Sequence, residues 1–330
     1  MNFHGQQIPL VDTHADSLGQ VLSGQRTLRD FTGPGQLDFI RMAQIGHTLQ
    51  CFSLWVEPDY KPERALSRVL QYVDAFWQEL EGQTAAIIPV LSLNDLKRVS
   101  GGEVMGALMS VEGAEALGTD PARVRVLYRL GVRLMSLTWN QRNMLADGAG
   151  EDPGGSGLSH QGRAIVQEMN RVGIVLDVSH LAEAGFWDAL EYSIKPVIAS
   201  HSNCKGLQSH RRNLSDRQIR ALAAHGGMQG ITFVTEFLGG TQDLARVVDH
   251  CLYALDVVGS DRHLGLGSDF DGVEIPVKGL EDVTKLAQLA DELSTRGISD
   301  ASIARIFGYN YLEFWEHAWS DAVSGAPTIP

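Results

Sequence analysis

The chain has 330 residues, 44% hydrophobic and 20% charged, with a formal charge of −13. That composition supports a large packed core and speaks against disorder. It also gives a surface that repels nucleic-acid backbones and anionic membranes, and the short Arg211–Arg212 pair falls far short of the basic stripe that nucleic-acid binding needs.

Short β-rich segments alternate with longer segments of helical period. Strand candidates, in chain order, are 8–13, 48–54, 85–90, 104–111, 133–137, 174–178, 196–200, 229–233 and 263–268. Between them lie helical stretches at 63–80, 123–130, 162–172, 182–192, 244–258 and 280–296. Strand–helix alternation along the whole length predicts a parallel sheet with helices outside. The length fits a single (β/α)8 barrel with insertions, since such barrels run to about 250 residues and beyond. Nine strand candidates exceed eight, so one of the two between Thr48 and Val90 is expected to lie outside the ring or in an excursion. One domain is therefore expected over 1–330, with roughly 320–330 as a peripheral, partly mobile tail. The longest irregular stretch, 140–159, contains ADGAGEDPGGSG and is expected to be functional or disordered.

Cys51, Cys204 and Cys251 lie far apart and form no CxxC pair, which argues against a disulfide framework and a thiolate zinc site. The opening MNFHGQQIPLVDTHADS does not read as a signal peptide. No uninterrupted apolar run reaches the roughly 18 residues of a membrane span. A cytoplasmic protein is the expectation.

Polar residues at the C-terminal ends of barrel strands point to the active face. The first strand, IPLVDTHAD, ends with His14 and Asp16, spaced to share a face in extended chain. ALMSVEG brings Glu112 to the end of an apolar run, where burial is costly unless cations compensate and where a carboxylate can bridge two of them. GIVLDVSH ends in His180, PVIASHS in His201, and HLGLGSDFDG places Asp269 after the last strand. Each has a bland alternative: a hydrogen-bonded pair near a turn for HxD, a solvated loop residue for Glu112, a satisfied structural imidazole for each histidine. Together, on successive strands, they point to a metal site. Imidazoles and carboxylates without thiolates suit zinc or manganese, and the histidine count favours zinc. Asp269 could hold a metal-associated water and exchange protons with it, whereas Asp271 is expected only to cap a turn with Gly272.

DTHAD, SVEG, LTWNQRNMLADG, GLSHQGR, VLDVSH, PVIASHS, SHRRN and GSDFDG, in that order, resemble the membrane (renal) dipeptidase family, a branch of the metal-dependent amidohydrolase barrels. The likeness runs from about Val11 to about Trp315. It implies a binuclear zinc dipeptidase, with His14 and Asp16 on the first zinc, His180 and His201 on the second, and Glu112 bridging both. It implies proton transfer by Asp269 and, at Arg212, a grip on the substrate's free C-terminal carboxylate, a task suited to the planar guanidinium fork. It also implies tolerance of a D-residue at that C-terminal position, and a homodimer. Animal members carry a histidine in the segment matching 136–140, taken to contact the scissile carbonyl; this chain has Trp139 there, expected to wall the substrate pocket. Three other readings remain open: a metal-dependent hydrolase of another small amide, such as an N-acyl amino acid or a lactam; a metal-binding protein with little catalysis; and, disfavoured by the lack of a Gly-rich phosphate loop, a phosphate-binding barrel isomerase.

Overall fold

The computed structural model describes residues 1–30, 35–83 and 86–320. The expected tail therefore lies almost wholly outside the described residues, as does the start of the 85–90 strand candidate.

Eight parallel strands form the barrel: β1 Val11–Asp12, β2 Leu49–Trp55, β3 Met105–Glu112, β4 Val132–Ser136, β5 Val175–Asp177, β6 Ile198–Ala199, β7 Met228–Ile231 and β8 Leu264–Leu266. The ring closes because Leu266 of β8 pairs with Asp12 of β1, and β2 pairs with both β1 and β3. Closure leaves the eight-stranded ring itself without an open edge. The ninth strand, Ile87–Pro89, pairs with β3 only at Met105–Ala107, while β4 pairs with β3 from Met109 to Val111. Since β2 occupies the other edge of β3 along its length, the extra strand and β4 must share one edge. The second of the two candidates is thus the one outside the ring.

Helices follow the strands, and several start at side-chain caps. Ser159 accepts from the Gly162 amide at the head of His160–Val172, and Asp243 from the Arg246 amide at the head of Leu244–Val258. Ser215 and Gln218 form a reciprocal capping box on Asp216–Ala224. The 280–296 stretch proves shorter, a 3-10 turn Val283–Lys285 running into Leu286–Thr295. The 140–159 segment is ordered rather than free: Asp147 accepts from the Arg142 guanidinium at 2.5 and 2.9 Å and from the Ser156 amide at 2.5 Å. No helix of the described residues is long and apolar enough to cross a membrane.

Inside the ring, Val11, Leu49, Leu108, Leu134, Val175, Ile198 and Met228 form an apolar layer. Helix Asn310–Trp319 closes it from the N-terminal end, adding Tyr311, Leu312, Phe314, Trp315 and Trp319 to the same cluster. Here β8 contributes Gly265: a Cβ at that position would sit 2.2 Å from the Tyr311 ring. The Tyr311 hydroxyl donates to the Leu266 carbonyl at 3.1 Å. A sealed floor leaves the opposite end for chemistry.

Candidate metal centre

The C-terminal ends of the strands deliver polar side chains to one place. Beyond β1, Ala15 still bridges Phe270 beside β8, which keeps His14 and Asp16 at the barrel mouth. Asp16 occupies the N-cap position of helix Ser17–Leu22 but makes no capping hydrogen bond, so its carboxylate remains available. Glu112 ends β3 fully buried, accepting from Ser53 Oγ at 2.8 Å. His180 and Asp269 sit at φ +70° and +65°. Backbone strain of about 1–3 kcal/mol per such residue is characteristic of functional positions.

His14 Nε2 lies 3.4 Å from Glu112, 3.7 Å from Asp16 and 3.8 Å from Asp269. On the other side, Glu112 Oε1 is 2.8 Å from His180 Nε2 and 3.7 Å from His201 Nε2. Those two imidazole nitrogens are themselves 2.9 Å apart. Glu112 thus stands between one group made of His14, Asp16 and Asp269 and another made of His180 and His201. All five expected ligands converge, and Asp269 stands almost as close to His14 as Asp16 does.

The protons on the outer ring nitrogens can be assigned. An amide oxygen only accepts, so the 2.8 Å contact of His180 Nδ1 with Asn140 Oδ1 puts the proton on Nδ1. The His201 Nδ1 contact with Ser200 Oγ, 2.7 Å, is of the same kind, because Ser200 gives its own proton to Asp177 at 2.5 Å. Both Nε2 lone pairs then face each other and the Glu112 carboxylate. Neither ring nitrogen of buried His14 has a hydrogen-bond partner. Converging lone pairs with no donor between them are costly when buried, and they fit a cation. His14, Asp16, Glu112, His180 and His201 could hold metal, and imidazoles with carboxylates are a donor set that suits zinc.

The electrostatics divide between the two groups. Burial lowers His180 to about 3, with the Arg212 charge adding to it, and lowers His201 well below its ordinary value with His14 and Arg212 contributing. Burial also disfavours the His14 cation, but Glu112 and Asp16 overcome it and hold the ring well above the ordinary value. Glu112 is pushed up by burial yet drawn well below the carboxylate range by His14 and His180. For Asp269 burial dominates against the pull of His14, and Asp16 and Glu112 push the same way, so its carboxyl is raised well above the usual range.

Arg212 is buried, and burial lowers it to about 10. Its Nη2 donates to the His201 carbonyl at 3.1 Å and its Nε has no partner. No carboxylate pairs with it among the described residues. Arg212, Asp16, Asp269, Trp55 and Trp139 line one open cavity of about 760 Å³. Trp139 stands edge-on to Trp55, ring centroids 5.3 Å apart, and 5.9 Å from the His180 ring. It is part of the cavity wall.

Asp271 departs from expectation. It caps no turn with Gly272; the Gly272 amide bonds to the Asp269 carbonyl instead. Its carboxylate pairs with Arg26 and accepts from Ser17, from Gln20 Nε2 at 3.5 Å and, at 2.6 Å, from the Gln36 amide, because these four donors of the segment after β1 converge there and a short turn offers none as strong. The role is still structural. Residues that sequence reasoning passed over are Ser53, Asn140 and Ser200, the hydrogen-bond partners of Glu112, His180 and His201, and Asp177, which accepts from Ser200. An aspartate inside the apolar run IVLDV was the available signal for Asp177.

Comparison with known proteins decides the family. The model of the membrane dipeptidase family (peptidase family M19) matches residues 4–324. The chain belongs to that family. It is a metal-dependent dipeptidase, a hydrolase of peptide bonds. Dipeptidase tcpJ of Claviceps purpurea is 33% identical over 308 residues, covering 90% of this chain and 72% of the relative. A crystal structure of dipeptidase AC, a metallopeptidase of the same family, superimposes with a TM-score of 0.89 at 28% identity, covering 95% of this chain and 99% of the other. A metallopeptidase from Rhodobacter sphaeroides, liganded with a phosphinate mimic of the dipeptide L-Ala-D-Ala, also gives 0.89, at 27% identity over 95% of this chain and 100% of that one.

Proposed function

We propose that this dipeptidase works with two zinc ions per chain and cleaves dipeptides that have a free C-terminal carboxylate, D-residues included at that position. The observation that carries this reading is Arg212, a buried guanidinium without a carboxylate partner, opening on the same cavity as the converging ligands. His14 and Asp16 would hold the first zinc, His180 and His201 the second, with Glu112 between. Zinc so held supplies Lewis-acid polarisation of the scissile carbonyl and lowers the pKa of water toward about 7.

The chain's own residues supply the rest. Arg212 grips the substrate's carboxylate and so admits only a short peptide between itself and the ligands. The Asp269 carboxyl takes a proton from water and returns it to the leaving amine nitrogen, a role that its burial and raised pKa suit. Trp139 and Trp55 wall the cavity and exclude water on that side. The ligand seen in the Rhodobacter sphaeroides metallopeptidase supports tolerance of a D-residue at that position.

The test sets four substrates side by side on zinc-loaded protein: L-Ala-L-Ala, L-Ala-D-Ala, its C-terminal amide, and an N-acetyl amino acid. Both free dipeptides are expected to be cut, and the amide one to two orders of magnitude more slowly, since a charge-assisted pair is worth about 1.5–3 kcal/mol. Equal cleavage of the amide would contradict the role of Arg212. Preference for the N-acetyl amino acid would move the substrate to another class of small amide.

A further inference from the structure

Asp177 is buried to 2% at the end of β5 and has no part in the chemistry above. Its Oδ1 accepts from the Ser200 amide at 3.0 Å and the Ser179 amide at 2.9 Å, and its Oδ2 from Ser200 Oγ at 2.5 Å. Burial holds the Asp177 carboxyl above its ordinary value, and these bonds from Ser200 and Ser179 oppose that rise without cancelling it. Ser200 Oγ in turn lies 2.7 Å from His201 Nδ1.

We infer that Asp177, acting through Ser200, is a positioning residue that keeps the proton of His201 on Nδ1 and its Nε2 lone pair turned toward Glu112. The inference rests on the metal-binding reading of His201. The direction of the chain of hydrogen bonds follows from the acceptor at its end. A carboxylate offers no proton, so the single hydroxyl proton of Ser200 goes to Asp177 at 2.5 Å rather than to the more distant Ser179 Oγ at 3.4 Å. The Ser200 oxygen can then only accept from the imidazole, and His201 must carry its proton on Nδ1.

Reversing the end group reverses the chain. In Asp177→Asn the amide oxygen must take the place of Oδ1, because two backbone N–H groups point there. The NH2 group then faces Ser200 Oγ and donates to it. Ser200 must turn its proton toward His201 Nδ1, and the imidazole proton moves to Nε2, onto the face that a metal needs. The barrel holds a built-in comparison. Asp12 accepts from the Ser268 amide at 2.8 Å, the His14 amide at 3.3 Å and Ser268 Oγ at 2.5 Å, the same arrangement on β1 and β8. Ser268 Oγ carries no imidazole, however; it accepts from the Phe270 amide at 3.1 Å. An equal lesion at Asp12 should therefore leave the His201 proton where it is.

The experiment reads the ring protons of His201 by 15N NMR in metal-free protein, then measures zinc affinity by competition with a chelator. Wild type should show Nδ1–H. Asp177→Asn should shift His201 toward Nε2–H and weaken zinc at one position by about 10–100-fold, the usual scale for an outer partner of a ligand. Ser200→Ala, which removes the partner without reversing it, should lose less, and Ser200→Thr should restore wild-type behaviour. Asp12→Asn should not move the His201 proton. Retention of Nδ1–H with unchanged zinc affinity in Asp177→Asn would overturn the inference. Should that variant not fold, unchanged zinc affinity in Ser200→Ala would overturn it equally. The NMR reading needs no metal, so a wild type that takes up only one zinc counts against the binuclear reading and leaves the tautomer result to decide this one.

Discussion

The two ends of the barrel obey opposite rules. At the floor, Tyr311, Phe314, Trp315 and Trp319 fill the ring with apolar bulk. The Tyr311 hydroxyl finds the Leu266 carbonyl and the Trp319 indole donates to the Gly173 carbonyl at 3.1 Å, so that among the polar groups of these four side chains the Trp315 indole N–H alone lacks a partner. At the mouth, buried His14 has two ring nitrogens without partners, Arg212 has an idle Nε, and three residues, His180, Asp269 and Asp271, take left-handed backbone angles. Buried polar groups cost least when satisfied, so the floor stabilises the fold while the mouth draws on that stability. A site must leave its polar groups unmatched until substrate and cofactor arrive; the floor has no such reason.

Substitutions at the two ends should separate stability from activity. The largest effect is expected for Glu112→Gln, which removes the charge shared by both ligand groups: metal content and turnover should both collapse, with little loss of the folded state. Next comes Trp315→Ala at the floor. It should cost about 3–5 kcal/mol, visible as a lower Tm, with kcat per folded molecule unchanged at low temperature. A kcat loss without a Tm loss there would break the division. Asp269→Asn should keep at least one zinc yet lower kcat by about 10²-fold or more, the scale of lost acid–base catalysis; wild-type turnover would mean that Asp269 is not the proton carrier. Arg212→Ala should reduce kcat/KM on free dipeptides by about 10–100-fold, from one lost charge-assisted pair, and add little on amidated ones.

The smallest effect is expected at Trp139. If zinc carries the developing negative charge, Trp139→His should leave kcat nearly unchanged, and Trp139→Ala should act mainly on KM and side-chain preference. A gain in kcat of about 10²-fold in Trp139→His, the scale of one oxyanion donor, would show that the missing histidine limits this enzyme.

What the sequence disclosed follows the same division. Strands were legible because β-branched runs end abruptly in polar or glycine residues, and the convergence of His14, Asp16, Glu112, His180 and His201 because strand ends share one face. Helix Asn310–Trp319 lies outside the helical stretches read from the sequence, although its buried Tyr311, Leu312, Phe314, Trp315, Ala318 and Trp319 recur at helical spacing with Glu313, Glu316 and His317 exposed between them; that stripe was there to read. Short helices such as Ser17–Leu22 and Phe39–Ile45 hold too few turns to reveal a period. Ser200 and Asn140 read as ordinary polar residues, since their meaning lies in a neighbour from another strand or loop. Asp271 was assigned a turn because its partners, Arg26 and Gln36, lie more than two hundred residues away in sequence.

The central claim is that the unmatched lone pairs at the mouth exist for metal, and metal for peptide hydrolysis. It is tested most directly by stripping the purified protein with chelator, then adding zinc back in steps while bound metal and L-Ala-D-Ala cleavage are measured on the same samples. The account predicts uptake saturating at about two ions per chain, with activity absent from the stripped protein and restored as the sites fill. Full dipeptide cleavage by protein that holds no metal would contradict it.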